Sequence, residues 1–130
     1  MNRGIVVLAQ NNETDNYVDQ AILLAMSLLV HNPDTKISLV TNDKVSNPNV
    51  FDKIIPIPYG DHAEDSDWKV ENRWKLYHAS PYDETIVMDT DMLVLQNIDV
   101  WWDFLSNYVL AVCAGCYNID LPMLFIKVTG

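Results

Sequence analysis

The sequence predicts an α/β domain: a mainly parallel sheet with helices on both faces. Three observations predict it. Short apolar runs that read as buried strands alternate with stretches of helical periodicity. The chain has 130 residues, 49% of them hydrophobic, enough for one core and too few for two. Loops rich in Asn and Asp follow the first, second and fourth predicted strands, and in a parallel sheet these gather at one edge, where such sheets bind ligands.

The elements follow in order. "GIVVLA" (4–9) is the first buried strand, and "QNNETDN" is the polar loop after it. From Tyr17 to His31 the residues Val18, Ala21, Ile22, Ala25, Leu28 and Leu29 fall at helical spacing. Thr14, Asp15 and Asn16 are candidate N-caps, and "NP" at 32–33 stops the helix. "KISLVT" (36–41) is the second strand. "VFDKIIPIPY" (50–59) is a short irregular third strand interrupted by prolines, and "GDHAEDSD" is an acidic loop. "WKVENRWKLYHA" (68–79) reads as a helix with Val70, Trp74 and Tyr77 inward, and Trp101 is likewise read as core. After the turn "SPYD", 84–89 is the fourth strand. "IDVWWDFL" (98–105) is a short helix capped near Asn97, "YVLAVCA" (108–114) is a strand, and "LPMLFIKV" (121–128) is strand-like or an edge segment.

The net charge of -10 argues against a nucleic-acid partner, because that binding rests on clustered Lys and Arg. No run reaches the length of a membrane helix, and the start carries no secretory pattern. Cys113 and Cys116 have a C-x-x-C spacing after a strand, with no second pair of ligands; they read as free thiols. A cytoplasmic setting is the expectation. No role is read for His62.

The stretch "TIVMDTDMLVLQNI" (85–98) places Asp89 and Asp91 in an otherwise apolar run. Residues i and i+2 on a strand share a face, so the two carboxylates would be paired as the strand leaves the core. Two close like charges need compensation, and a divalent cation completed by water and phosphate oxygens supplies it. A solvated turn that happens to carry two acids is the bland alternative. Lys69 and Arg73 share a helix face at i, i+4 spacing and suit a diphosphate; the alternative for Arg73 is a surface pair with Asp65 or Glu71.

"KLYHASPYDETIVMDTDMLVLQNIDVWW", together with "VVLAQNNETDNYVDQAILLAMSL", resembles the GT-A glycosyltransferases, most closely family 8, the glycogenin-like and galactinol-synthase-like group. The resemblance covers about residues 4 to 112. It implies a Rossmann-like GT-A fold, here minimal or truncated to the nucleotide-binding half. It implies that Asp89 and Asp91 bind Mn²⁺ or Mg²⁺ held by the diphosphate of a UDP-sugar, with Thr90 in the small middle position. Ala9, Asn11, Asn12 and Tyr17 lie where the family holds uracil and ribose, Arg73 where it places a cation near the sugar-phosphate, and Asp43 after the second strand is assigned to the base. The family's later metal-ligating His has no counterpart, since the histidines are His31, His62 and His78.

The resemblance implies a metal-dependent glycosyltransferase with an unassigned acceptor and no nameable nucleophile. Two alternatives stand beside it: a non-catalytic nucleotide-sugar binding module or incomplete subunit, and a haloacid-dehalogenase-type phosphatase. The latter family follows its acidic motif with Gly-Thr on a first strand, whereas Met92 and Leu93 follow here, late in the chain. A homodimer is expected, closed by the apolar tail and one of Trp101 and Trp102.

Overall fold

The computed structural model describes residues 2–64, 71–107, 110–112 and 124–127. Six strands form one sheet: β1 (Arg3–Leu8), β2 (Ile37–Val40), β3 (Lys53–Ile55), β4 (Glu84–Met88), β5 (Leu110–Val112) and β6 (Leu124–Lys127). Their spatial order is β3-β2-β1-β4-β6-β5. The first four strands in this order are mutually parallel, and β6 pairs antiparallel with both β4 and β5. The α/β expectation holds, with a mixed rather than parallel far side. The tail is not an edge: β6 lies between β4 and β5, so its backbone finds partners on both sides within the chain.

Alternation along the strands divides the core. Ile5 and Val7 of β1, Ile37 and Leu39 of β2, and Ile86 and Met88 of β4 face one side. There they meet Val18, Ala21, Leu24, Ala25 and Leu28 of helix α1 (Tyr17–His31), with Ile98 and Trp102 around helix α3 (Asp99–Asn107). Val6, Val40 and Val87 face the other side, against Ile57, Tyr82 and Leu76 of the short helix α2 (Leu76–Ala79). Period-two strands buried on both faces give the unbroken apolar runs seen in the sequence.

Helix α1 has the expected bounds. Asn16 is its cap and accepts from the Asp19 N–H at 2.9 Å, and Asn32 ends it. Asn32 is buried, and its side chain also receives the Ile98 N–H (2.8 Å) and donates to the Gln96 carbonyl (3.1 Å). One amide thus closes a helix and fixes the segment that follows β4. Asn97 accepts from the Asp99 N–H at 2.9 Å, near the expected cap of α3.

The helix expected over 68–79 is corrected. Residues 71 and 72 form a turn, Arg73–Lys75 a 3₁₀ turn, and only Leu76–Ala79 is α-helical; Trp68, Lys69 and Val70 lie outside the described residues. The inward side is also corrected. Trp74 is 55% exposed and Tyr77 is exposed, whereas Asn72, Lys75 and Leu76 are buried. Buried polar partners, not an apolar stripe, orient this segment. Trp102 is buried, and Trp101 is half-buried against the same core. Cys113 and Cys116 lie outside the described residues.

Candidate functional site

The chain leaves β1 toward β2 on one side, while β4 flanks β1 on the other. This reversal opens a crevice at the carboxyl ends of β1 and β4, the place where open α/β sheets bind ligands. The two stretches singled out in the sequence, Ala9–Asn12 and Asp89–Asp91, follow those two strands.

The loop after β1 is built by its own side chains. Ala9 is buried and its N–H continues the ladder to Val40 (3.0 Å). Asn11 donates its N–H to Asp43 Oδ2 (2.8 Å), and its Oδ1 accepts the Val18 N–H (3.0 Å) inside the first turn of α1. Asn12 Oδ1 accepts from the backbone of Thr14 (3.0 Å) and Asp15 (2.7 Å), a local Asx turn. Tyr17 is half-buried against the core. The asparagines and Asp43 therefore shape this loop, and Asp43, after β2, ties it to the neighbouring strand end.

At β4 the strand stops at Met88, and Asp89 begins a turn. The shared-face argument for Asp89 and Asp91 therefore fails. The Asp89 N–H turns toward Met92 Sδ (3.2 Å) in place of a strand partner. Both acids still follow β4 at its carboxyl end. Asp89 is half-buried and forms an ion pair with Arg73, one of the two cations the sequence offered for the diphosphate. Asp65, one of the two surface partners weighed for Arg73, lies outside the described residues. Asp91 is exposed and makes no hydrogen bond or ion pair among the described residues. Thr90 Oγ1 reaches Gln20 Oε1 of α1 at 3.3 Å.

Two carboxylates at one strand end are a partial donor set for a hard divalent cation. Among the described residues no group of three or more His, Cys, Asp or Glu is gathered for a metal. An ion of the Mg²⁺ or Mn²⁺ type is ordinarily held by one or two carboxylates with water and substrate phosphates, so the pair fits a cation that arrives with a diphosphate.

Sequence reasoning missed a buried polar network on the other flank of the crevice. Gln10 donates to Asp61 Oδ2 (3.0 Å) and accepts from Asn72 Nδ2 (2.6 Å). Asn72 also donates to Asp61 Oδ1 (2.6 Å), and its Oδ1 accepts from the His62 N–H (3.1 Å) and Lys75 Nζ (2.6 Å). Lys75 is 1% exposed and also donates to the Gly60 carbonyl. Such groups persist in a core only when hydrogen-bonded, and no buried side-chain polar atom among the described residues lacks a partner. Their sequence signal is faint: polar residues at helical spacing look like a solvated face.

No family model and no curated protein matches the sequence. Solved structures do. The galactosyltransferase LgtC, in complex with donor and acceptor sugar analogs, superposes with a TM-score of 0.67 at 19% identity, over 95% of this chain and 57% of LgtC. An active-site mutant of LgtC, Q189E, gives 0.65 at 18% identity, with the same shares covered. The glycosyltransferase GlyE of Streptococcus pneumoniae TIGR4 gives 0.66 at 18% identity, over 98% of this chain and 34% of GlyE. This chain thus spans little more than half of LgtC and a third of GlyE. The chain has the Rossmann-like, GT-A-like fold of these glycosyltransferases.

Proposed function

We propose that the chain is the nucleotide-sugar-binding part of a metal-dependent glycosyltransferase of the family 8 type, using a UDP-sugar. One observation carries the reading: Asp89 and Asp91 follow β4 where the sheet order reverses, and Arg73 is paired with Asp89. The likeness to LgtC and GlyE in fold supports it, and LgtC was seen with donor and acceptor sugar analogs. It also favours this reading over a dehalogenase-type phosphatase.

The residues divide the work. Asp89 and Asp91 would hold Mn²⁺ or Mg²⁺, which when bound neutralises charge on a departing diphosphate. Arg73 exchanges its ion pair with Asp89 for phosphate oxygens, offering a planar donor fork. The β1 loop, with Ala9, Asn11, Asn12 and Tyr17, forms the wall for base and ribose; Asp43 acts on it by holding the Asn11 N–H. Thr90, leaning on Gln20, fixes the turn between the acids. A non-catalytic binding module shares all of these features, and turnover of a UDP-sugar separates the two. A homodimer is also proposed, on exposed apolar residues of α1 discussed below.

The test is calorimetric titration of UDP with Mn²⁺ and with EDTA. Tighter binding with Mn²⁺ is expected, and equal affinity in the two conditions would sink the proposal.

A further inference from the structure

Outside the crevice, five aromatic rings meet at the surface. Trp74, Tyr77 and His78 come from the 3₁₀ turn and α2, at i, i+3, i+4 spacing; Tyr59 and His62 come from the loop after β3. The Tyr59 and Trp74 rings are parallel within 4°, with centroids 6.2 Å apart. His78 stands edge-on to Tyr59 (5.6 Å), Trp74 (6.0 Å) and Tyr77 (5.2 Å), and His62 lies 6.2 Å from Trp74. Tyr59, Trp74 and Tyr77 are all exposed, Tyr59 by 67%. A contiguous aromatic patch left in water marks a binding surface.

Two further features show that the patch is built. Tyr59 has φ of 62°, in the left-handed region that a bulky side chain occupies only when its surroundings hold it there. The buried network supplies the hold. Lys75 donates to the Gly60 carbonyl beside Tyr59, its ammonium lies 5.7 Å from the Trp74 ring centroid, and Asn72 takes the His62 N–H. The loop half and the helix half of the patch are thus tied together from beneath.

We propose that this platform binds a neutral saccharide, with a pyranose ring laid on the Tyr59–Trp74 surface, and that this saccharide is the acceptor. The apolar C–H face of a pyranose carries slight positive charge and matches the negative face of an aromatic ring. Tyr hydroxyls and His nitrogens at the rim suit sugar hydroxyls as donors and acceptors. A neutral ligand fits the charges: Lys75 is buried, Arg73 is paired with Asp89, and the chain carries -10. The platform adjoins the proposed donor site, since Trp74 follows Arg73 in the same turn. The word acceptor rests on the glycosyltransferase reading; saccharide binding does not.

The experiment titrates the chain with methyl β-glucoside, methyl β-galactoside, methyl α-mannoside, maltose and lactose. It follows the indole N–H resonance of Trp74 by NMR, identified by its loss in Trp74→Phe. UDP with Mn²⁺ and uridine alone are titrated in parallel. A saturable shift of the Trp74 resonance with at least one saccharide is expected. Trp74→Ala and Tyr59→Ala should each weaken that saccharide about tenfold, which is about 1.4 kcal/mol, and should leave UDP affinity within about twofold. No shift with any saccharide, while UDP binds, would overturn the platform and leave the glycosyltransferase reading standing. Equal loss of uridine binding in Trp74→Ala would also overturn it by assigning the ring to the donor. Saccharide binding without UDP binding would keep the platform and end the glycosyltransferase reading. The wild-type titration decides the matter even if an alanine variant fails to fold.

Discussion

Arg73 and Asp89 neutralise each other in the ligand-free chain. A cation entering at Asp89 has to displace a guanidinium, and a diphosphate entering at Arg73 has to displace a carboxylate. The two arrivals therefore help each other. Arg73→Ala should weaken UDP by roughly tenfold to a hundredfold and uridine far less, while tightening Mn²⁺ binding in the absence of nucleotide. Calorimetry of the three ligands checks this; equal losses for uridine and UDP would place Arg73 elsewhere. Asp91 is exposed, so Asp91→Ala should erase the metal-dependent part of UDP binding without changing the melting temperature by more than about 2 °C. Tyr82 carries a pH prediction. Burial, aided by the Asp52 carboxylate, pushes its hydroxyl above the usual tyrosine range, although Ser38 opposes the shift. Above about pH 10 the unfolded chain releases this proton and the folded chain keeps it, so stability falls as pH rises from there. Tyr82→Phe should flatten that alkaline slope in denaturation measured across pH. At neutral pH it should cost about 1–2 kcal/mol, through partners lost by Asp52 and Ser38.

Elements in this chain are pinned by close packing and by buried amides. Gly4 on β1 lies directly beneath the Tyr82 ring, and a Cβ there would overlap it. Alanine ordinarily favours a strand over glycine. Here Gly4→Ala should destabilise by about 1–3 kcal/mol, readable as a lower urea midpoint; a stabilised variant would show that the ring moves aside. The Arg73–Ala79 segment is held by Lys75 and Asn72 as well as by the buried Leu76. Lys75→Met keeps the stem and removes the ammonium, leaving the Gly60 carbonyl without that donor. A loss of about 1–3 kcal/mol is expected, seen as a melting temperature lower by about 5–10 °C. No loss would mean that water replaces the ammonium.

At the scale of the whole molecule, one set of exposed apolar residues lies along α1. Leu23, Met26 and Val30 of α1 are exposed, as are Leu93 and Leu95 of the segment after β4. That segment runs along α1, since the Val94 N–H donates to Ser27 Oγ (2.9 Å) and Asn32 donates to the Gln96 carbonyl (3.1 Å). The proposed homodimer would bury this face, in place of the tail, which β4 and β5 already pair. Light scattering at micromolar concentration should give twice the chain mass, and Val30→Glu or Leu95→Glu should halve it. A monomer mass for the unmodified chain would refute the pairing. No described helix is long and apolar enough to cross a membrane.

The sequence by itself determined the strands that lie in the core and the helix that joins the first two. Their apolar runs and their caps are local signals, and α1 spans Tyr17–His31 as its periodicity requires. It also singled out Asp89, Asp91 and Arg73, and the fold brings Arg73 onto Asp89. Only the tertiary structure decided the rest. That Asp89 leaves the strand depends on Met92 folding back toward its N–H. Burial of Lys75 and exposure of Trp74 invert the ordinary preferences of both side chains. They follow from partners at Gly60, Asp61 and Gln10, contributed from as far as 62 residues away between Gln10 and Asn72. Periodicity reports which face of an element is apolar. It does not report which polar groups another loop will bring to meet it, and that choice set both the pairing of Arg73 and the aromatic platform beside it.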